Sequence, residues 1–137
     1  MKPRISVLAL SVSDLEKAAA FYRDGLGFKT EGIVGREFEH GAVGFFELDH
    51  GLRPALWPRT SLAADTGLPD GPRGEIAFTQ GHNVASAAEV DEVMNQAAKA
   101  GAKIVKLAQV TFWGGYAGYF QDPDGHIWEV VFDPAFV

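Results

Sequence analysis

The chain has 137 residues, 47% apolar and 22% charged, with a formal net charge of −6 and no cysteine. A chain of this length hides roughly two-thirds of its extended surface in one core, and it has no run near the ~20 apolar residues that cross a bilayer. Disulfides, thiolate metal sites and cysteine nucleophiles are excluded; scattered basic residues argue against a nucleic-acid partner, and a cytoplasmic location with no membrane partner is expected.

Residues 5–12, ISVLALSV, mix β-formers with small residues and read as a strand. Ser13 opens SDLE, in which the Ser13 hydroxyl and Glu16 form a capping box for a helix. Leu15, Ala18 or Ala19, and Tyr22 recur at helical spacing, and Gly25 and Gly27 supply the stop. Three short strands follow, over 29–35, 42–48 and 52–57, separated by a loop around His40 and the turn DHG.

The joint WPRTSLAADTGLPDGPRG, rich in proline and glycine, reads as a loop with one helical turn at 61–65. The first phrase then returns. Residues 76–84 form a strand weakened by Gly81, and SAAE, with Ser86 and Glu89, is a second capping box. Val90, Val93, Met94 and Ala97 line one helical face, and Gly101 ends the run. Strands over 103–106, 116–120 and 126–132 complete the pattern, the last two joined by the tight turn DPDG.

The expected fold is therefore α+β, with paired βαβββ modules forming a curved mixed sheet around a central cleft. It is one domain over 1–137: module one about 1–58, a joining loop about 58–73 and module two about 74–137. One helix covers one face of each sheet, and a ligand site is expected where the other faces meet.

Alternation orients the side chains. In the first strand Leu8, Leu10 and Val12 face the helix and Val7, Ala9 and Ser11 the cleft; in the fifth, Thr79, Gly81 and Asn83 face the cleft. In the last, Trp128, Val130 and Phe132 form the helix-facing set, which leaves Glu129 in the cleft with Ile127 and Val131. A carboxylate there must be hydrated, hydrogen-bonded, paired or metal-bound. One structural reading pairs it with Arg53; the functional one makes it a ligand anchor or a base.

Asn83 can both donate and accept, suiting a ligand amide, carbonyl or hydroxyl. Trp113, Tyr116 and Tyr119 are suited either to stacking a planar ligand or to sheet packing. Trp57 and Phe46 are expected to narrow the cleft. His82 is either a proton carrier or a residue tied to its neighbours, and His40, His50 and His126 belong to turns. Gly115 and Gly118 make no dinucleotide fingerprint, because no strand-to-helix crossover follows them, and no serine hydrolase or HExxH pattern occurs.

The segments VSDLEKAAAFYRDGLGF, AEVDEVMNQAAKAGAKIV and GYFQDPDGHIWEV, in that order and spacing, resemble the glyoxalase, bleomycin-resistance and extradiol-dioxygenase superfamily, also called vicinal oxygen chelate proteins. The resemblance spans nearly the whole chain and implies paired βαβββ modules and a homodimer. It also implies metal ligands on the first, fourth, fifth and eighth strands, which here fall at Val7, at or near Ala55, near Thr79, and at Glu129. Of these, Glu129 alone fits a metal ligand; valine and alanine offer no lone pair, and a threonine hydroxyl is a poor substitute for imidazole or carboxylate.

The resulting expectation is a small-molecule-binding protein or metal-independent enzyme with no cofactor. Glu129 is the catalytic candidate; Thr79, Asn83, Trp57, Phe46, Trp113, Tyr116, Tyr119 and Arg53 are the ligand-binding candidates. The alternative is a divalent-metal lyase or isomerase of the lactoylglutathione lyase kind, or a dioxygenase, with the ion at Glu129. A third reading is an interaction module whose cleft is filled by its own side chains.

Overall fold

The structure, a computed structural model, describes residues 3, 7–67, 69, 70, 79–111 and 113–135. It divides into two compact units, Met1–Arg73 and Gly74–Val137. Each unit carries a four-stranded mixed sheet and at least one helix, and the same strand phrase occurs in both.

In the first unit β1 (Val7–Val12) is followed by α1 (Leu15–Ala20), β2 (Lys29–Val34), β3 (Val43–Glu47) and β4 (Arg53–Pro58), in the sheet order β1-β4-β3-β2. β1 and β4 run parallel, and the other pairs are antiparallel. The helix starts one residue later than the SDLE box predicts. Asp14, extended at φ −130°, is the cap, and its carboxylate accepts from the Lys17 N–H at 3.0 Å. A full charge at the positive end of the helix outcompetes the neutral Ser13 hydroxyl.

Beyond Ala20 the helix widens into a π-turn over Phe21–Gly25, closed by the Leu26 N–H on the Phe21 carbonyl at 3.0 Å. Consecutive Phe21 and Tyr22 are both buried there, their rings edge to face at 5.1 Å. Tyr22, Phe28 and Phe46 continue the aromatic cluster, and Leu10, Val12 and Leu56 complete the core beneath the helix. Each such side chain contributes about 1.5–3 kcal/mol relative to an exposed position.

The joint is more ordered than the predicted single turn. α2 (Arg59–Thr66) makes two turns and stops at Gly67, whose φ of 73° is the left-handed conformation that glycine adopts without a Cβ penalty. Residues 71–78, including the start of the predicted fifth strand, lie outside the described residues.

In the second unit β5 (Gln80–Asn83) leads to α3 (Ala87–Ala100), β6 (Lys103–Val110), β7 (Tyr116–Gln121) and β8 (Ile127–Phe132), in the order β5-β8-β7-β6. Here the predicted serine caps the helix: the Glu89 N–H donates to Ser86 Oγ at 3.2 Å, while Glu89 Oε2 reaches one residue past the cap and accepts from the Ala85 N–H at 3.1 Å. Val90, Met94 and Ala97 are buried, and Gly101 caps the C-terminus. Gly118 on β7 is where the helix meets the sheet: a Cβ added there would lie 2.9 Å from Met94 Cε. At the DPDG turn Asp122 Oδ1 accepts from the Asp124 and His126 N–H groups, at 2.9 and 2.8 Å.

Candidate functional site

Glu129 sits at the middle of β8, paired with Gly81 on β5 and with Tyr119 on β7. Trp128 and Val130 on either side are buried with α3's face of the sheet, so alternation turns Glu129 to the opposite face. There it is half-buried, between buried Ile127 and Val131. The Tyr119 hydroxyl donates to Glu129 Oε1 at 2.7 Å. That hydrogen bond, reinforced by burial and by the carboxylate's charge, raises the Tyr119 pKa and keeps the phenol protonated.

Among the described residues Tyr119 is the only partner of Glu129, which leaves Oε2 available. Gly81 keeps the neighbouring position low: a Cβ there would find only Asn83 Oδ1 within contact range, at 3.9 Å. Asn83 lies two residues along β5 and is exposed, as is Thr79 just before the strand. Glu129, Tyr119, Asn83 and Thr79 thus belong to one sheet surface with an open position at its middle. His82 points to the other side of β5 by the same alternation, in register with Val130.

Three other candidates are placed elsewhere. Phe46 does not narrow a ligand site; it is 1% exposed in the aromatic core of the first unit, because Gly44 and Phe46 take the side of β3 that packs on α1. Phe45, one residue earlier, takes the other face. Tyr116 stands on α3's side of β7 and donates to Asp91 Oδ1 at 2.8 Å, away from Glu129. Trp113 is exposed in the turn before β7, its ring lying against Gly115.

In the first unit Trp57 and Arg53 occupy the face of β4 opposite α1, in register with Ser11 and Val7. Trp57 Nε1 donates to the His40 carbonyl at 3.1 Å, and the Arg53 guanidinium carbon lies 5.8 Å from the centre of the Phe45 ring. Phe45 is missed by the sequence reading, and Gly81 is placed on the cleft face without a role. The alternation of VGFFE could have revealed the first; the second acts through the side chain it lacks.

A family model described as the Glyoxalase/Bleomycin resistance protein/Dioxygenase superfamily matches residues 4–130. The chain belongs to that superfamily. A glyoxalase-related enzyme from Fulvimarina pelagi is 32% identical, covering 96% of this chain and 89% of its own, with a TM-score of 0.82. A lactoylglutathione lyase from Agrobacterium tumefaciens is 24% identical over 95% of this chain and 93% of its own, with a TM-score of 0.63. A fosfomycin resistance protein from Listeria monocytogenes is 22% identical over 97% and 95%, with a TM-score of 0.70. The last two share the superfamily fold alone. No curated protein matches the chain.

Superfamily members that use a metal need several donor side chains, and the described residues do not supply such a set. Of the four positions that the resemblance implies, one falls at Val7, one at or near Ala55 and one near Thr79. Among the described residues no group of three or more histidines or acids could hold an ion. One carboxylate already bonded to a phenol is a poor site for a divalent cation.

Proposed function

We propose that this superfamily member is a small-molecule-binding protein that anchors its ligand on Glu129 without a metal. The observation that supports this most is the Tyr119–Glu129 hydrogen bond on a half-buried face, beside the open position at Gly81. Tyr119 fixes the carboxylate, and Oε2 accepts an N–H or O–H group of the ligand. Asn83, exposed on the same surface, reads a second polar group. Charge-assisted hydrogen bonds of this kind contribute about 1.5–3 kcal/mol.

Metal-free turnover would use the same pair, with Glu129 taking a proton and Tyr119 orienting the carboxylate. Binding is the better-supported reading, because among the described residues the group bonded to Glu129 is the Tyr119 phenol, which that bond holds protonated. The protein acts as a homodimer: the edge strand β6 exposes Leu107 and Val110, each at 76%, and a second copy would cover them.

The test combines metal quantification on the purified chain with thermal-shift measurements against small aromatic amines and alcohols. The expected result is less than one ion per ten chains and a ligand-induced shift that Glu129→Gln removes. A stoichiometric divalent ion released by Glu129→Gln would restore the metal-dependent lyase or dioxygenase reading. Undiminished shifts in Glu129→Gln would dispose of the anchor.

A further inference from the structure

The face of the first sheet opposite α1 carries a pocket of about 220 Å³, formed by the edge strand β2 with β3 and β4. Its working side chains are Lys29, Glu31 and Val34 from β2, Phe45 and Glu47 from β3, and Arg53 from β4. Lys29 is opposite Glu47 across the β2–β3 pair. Continuing the register in which Phe45 faces Ala55 sets Glu47 beside Arg53. A basic, an acidic and a basic residue therefore form one row across three strands, with Glu31 and Phe45 in the next.

Cross-strand neighbours of opposite charge on a solvated sheet ordinarily pair with each other. Here, among the described residues, none of Lys29, Glu31, Glu47 and Arg53 takes part in an ion pair. Arg53 instead lies 5.8 Å from the Phe45 ring centre. A guanidinium that meets an aromatic ring and no carboxylate retains its N–H fork for a ligand carboxylate. The register shift between Thr30 and Ile33 bends the edge strand at the same place. Thr30 Oγ1 fastens the bend, donating to the Phe45 carbonyl at 2.6 Å and accepting from the Gly32 N–H at 3.1 Å.

We propose that this pocket binds a small zwitterion of the free amino-acid class. The ligand carboxylate bonds to Arg53 and Lys29, its ammonium to Glu47 and Glu31, and its apolar side chain lies on Phe45 and Val34. Two cations and two acids leave the pocket without net charge, so a ligand of single sign gains one set of contacts and meets repulsion from the other. The volume lies below the ~300 Å³ at which pockets for drug-sized ligands begin, which suits a molecule of about amino-acid size. All six residues belong to the first unit, whereas Glu129 belongs to the second.

The experiment is calorimetric or NMR titration of the full chain with L-phenylalanine, alongside 3-phenylpropionate, which lacks the ammonium, and phenethylamine, which lacks the carboxylate. L-Phenylalanine is expected to bind about tenfold or more tightly than either analogue. Arg53→Met, which keeps the apolar stem, and Glu47→Gln each weaken L-phenylalanine about tenfold, whereas Glu129→Gln changes it less than about twofold. Equal binding of the three probes, no binding by any at millimolar concentration, or unchanged affinity in Arg53→Met would overturn the proposal. A loss in Glu129→Gln as large as that in Arg53→Met would overturn the independence of the site.

Discussion

At the scale of the residue, the Tyr119–Glu129 bond is the feature from which most consequences follow. Tyr119 releases its proton at higher pH in the folded chain than in the unfolded one. Its contribution to stability is therefore complete below its ordinary pKa of ~10 and is lost as pH rises through the raised folded value. Tyrosinate absorbance measured during alkaline titration should show late-ionising tyrosine, and Tyr119→Phe should remove part of it. The same substitution should cost about 1 kcal/mol in urea unfolding at neutral pH, the net worth of one hydrogen bond. No change in either measurement would mean that the bond does not persist in solution.

The carboxylate's face was legible from the alternation of IWEVVF, because a strand with buried Trp128 and Val130 has one direction left for Glu129. Its partner was not. Tyr116 and Tyr119 differ by three residues, an odd number, and in a strand that sends them to opposite faces. Which of the two meets the acid depends on the pairing of β7 with β8, and that register is a contact between segments of the chain. Phe45 and Phe46 present the same difficulty. Two adjacent phenylalanines in a strand must diverge, and only the position of α1 selects the buried one.

At the scale of the element, the caps and turns were the most readable features because their chemistry is local. Ser86 caps α3 as SAAE predicts, with Glu89 bonding back to the Ala85 N–H in place of the cap's own, and Ser86→Ala should lower stability by about 1 kcal/mol by urea denaturation. The first box was misplaced by one residue because SD offers two capping side chains in succession and the sequence pattern does not rank them. Helix packing sets the cost at Gly118. An added methyl there would meet the Met94 side chain and also the Ala108 backbone nitrogen at 3.1 Å. Met94 can swing away, whereas the backbone of β6 cannot. Gly118→Ala should therefore destabilise the protein by about 1–3 kcal/mol, with only partial relief from Met94→Ala in the double variant. Full relief would place the strain in the methionine alone.

At the scale of the whole molecule, repetition of strand, helix and three strands generates two sheets of identical order, parallel between the first and last members. Chelation should leave the thermal midpoint within about 1 °C, since no set of donors among the described residues fits a structural ion; a larger fall would reveal a metal site. Sedimentation analysis should give a dimer, and Leu107→Lys together with Val110→Lys should shift it toward monomer. A wild-type monomer at micromolar concentration would remove the basis for that assembly.

The order of elements, the second helix cap, the glycine stops and the direction of the terminal acid were all determined by the amino-acid sequence. They depend on spacing within a few residues, where backbone geometry alone relates one side chain to another. The partner of Glu129, the burial of Phe46 in place of Phe45, and the charges without ion pairs beside the Arg53–Phe45 contact were decided by the tertiary structure. Each is a meeting of strands far apart in the chain, and their register is chosen by the packing of a whole sheet against its helix.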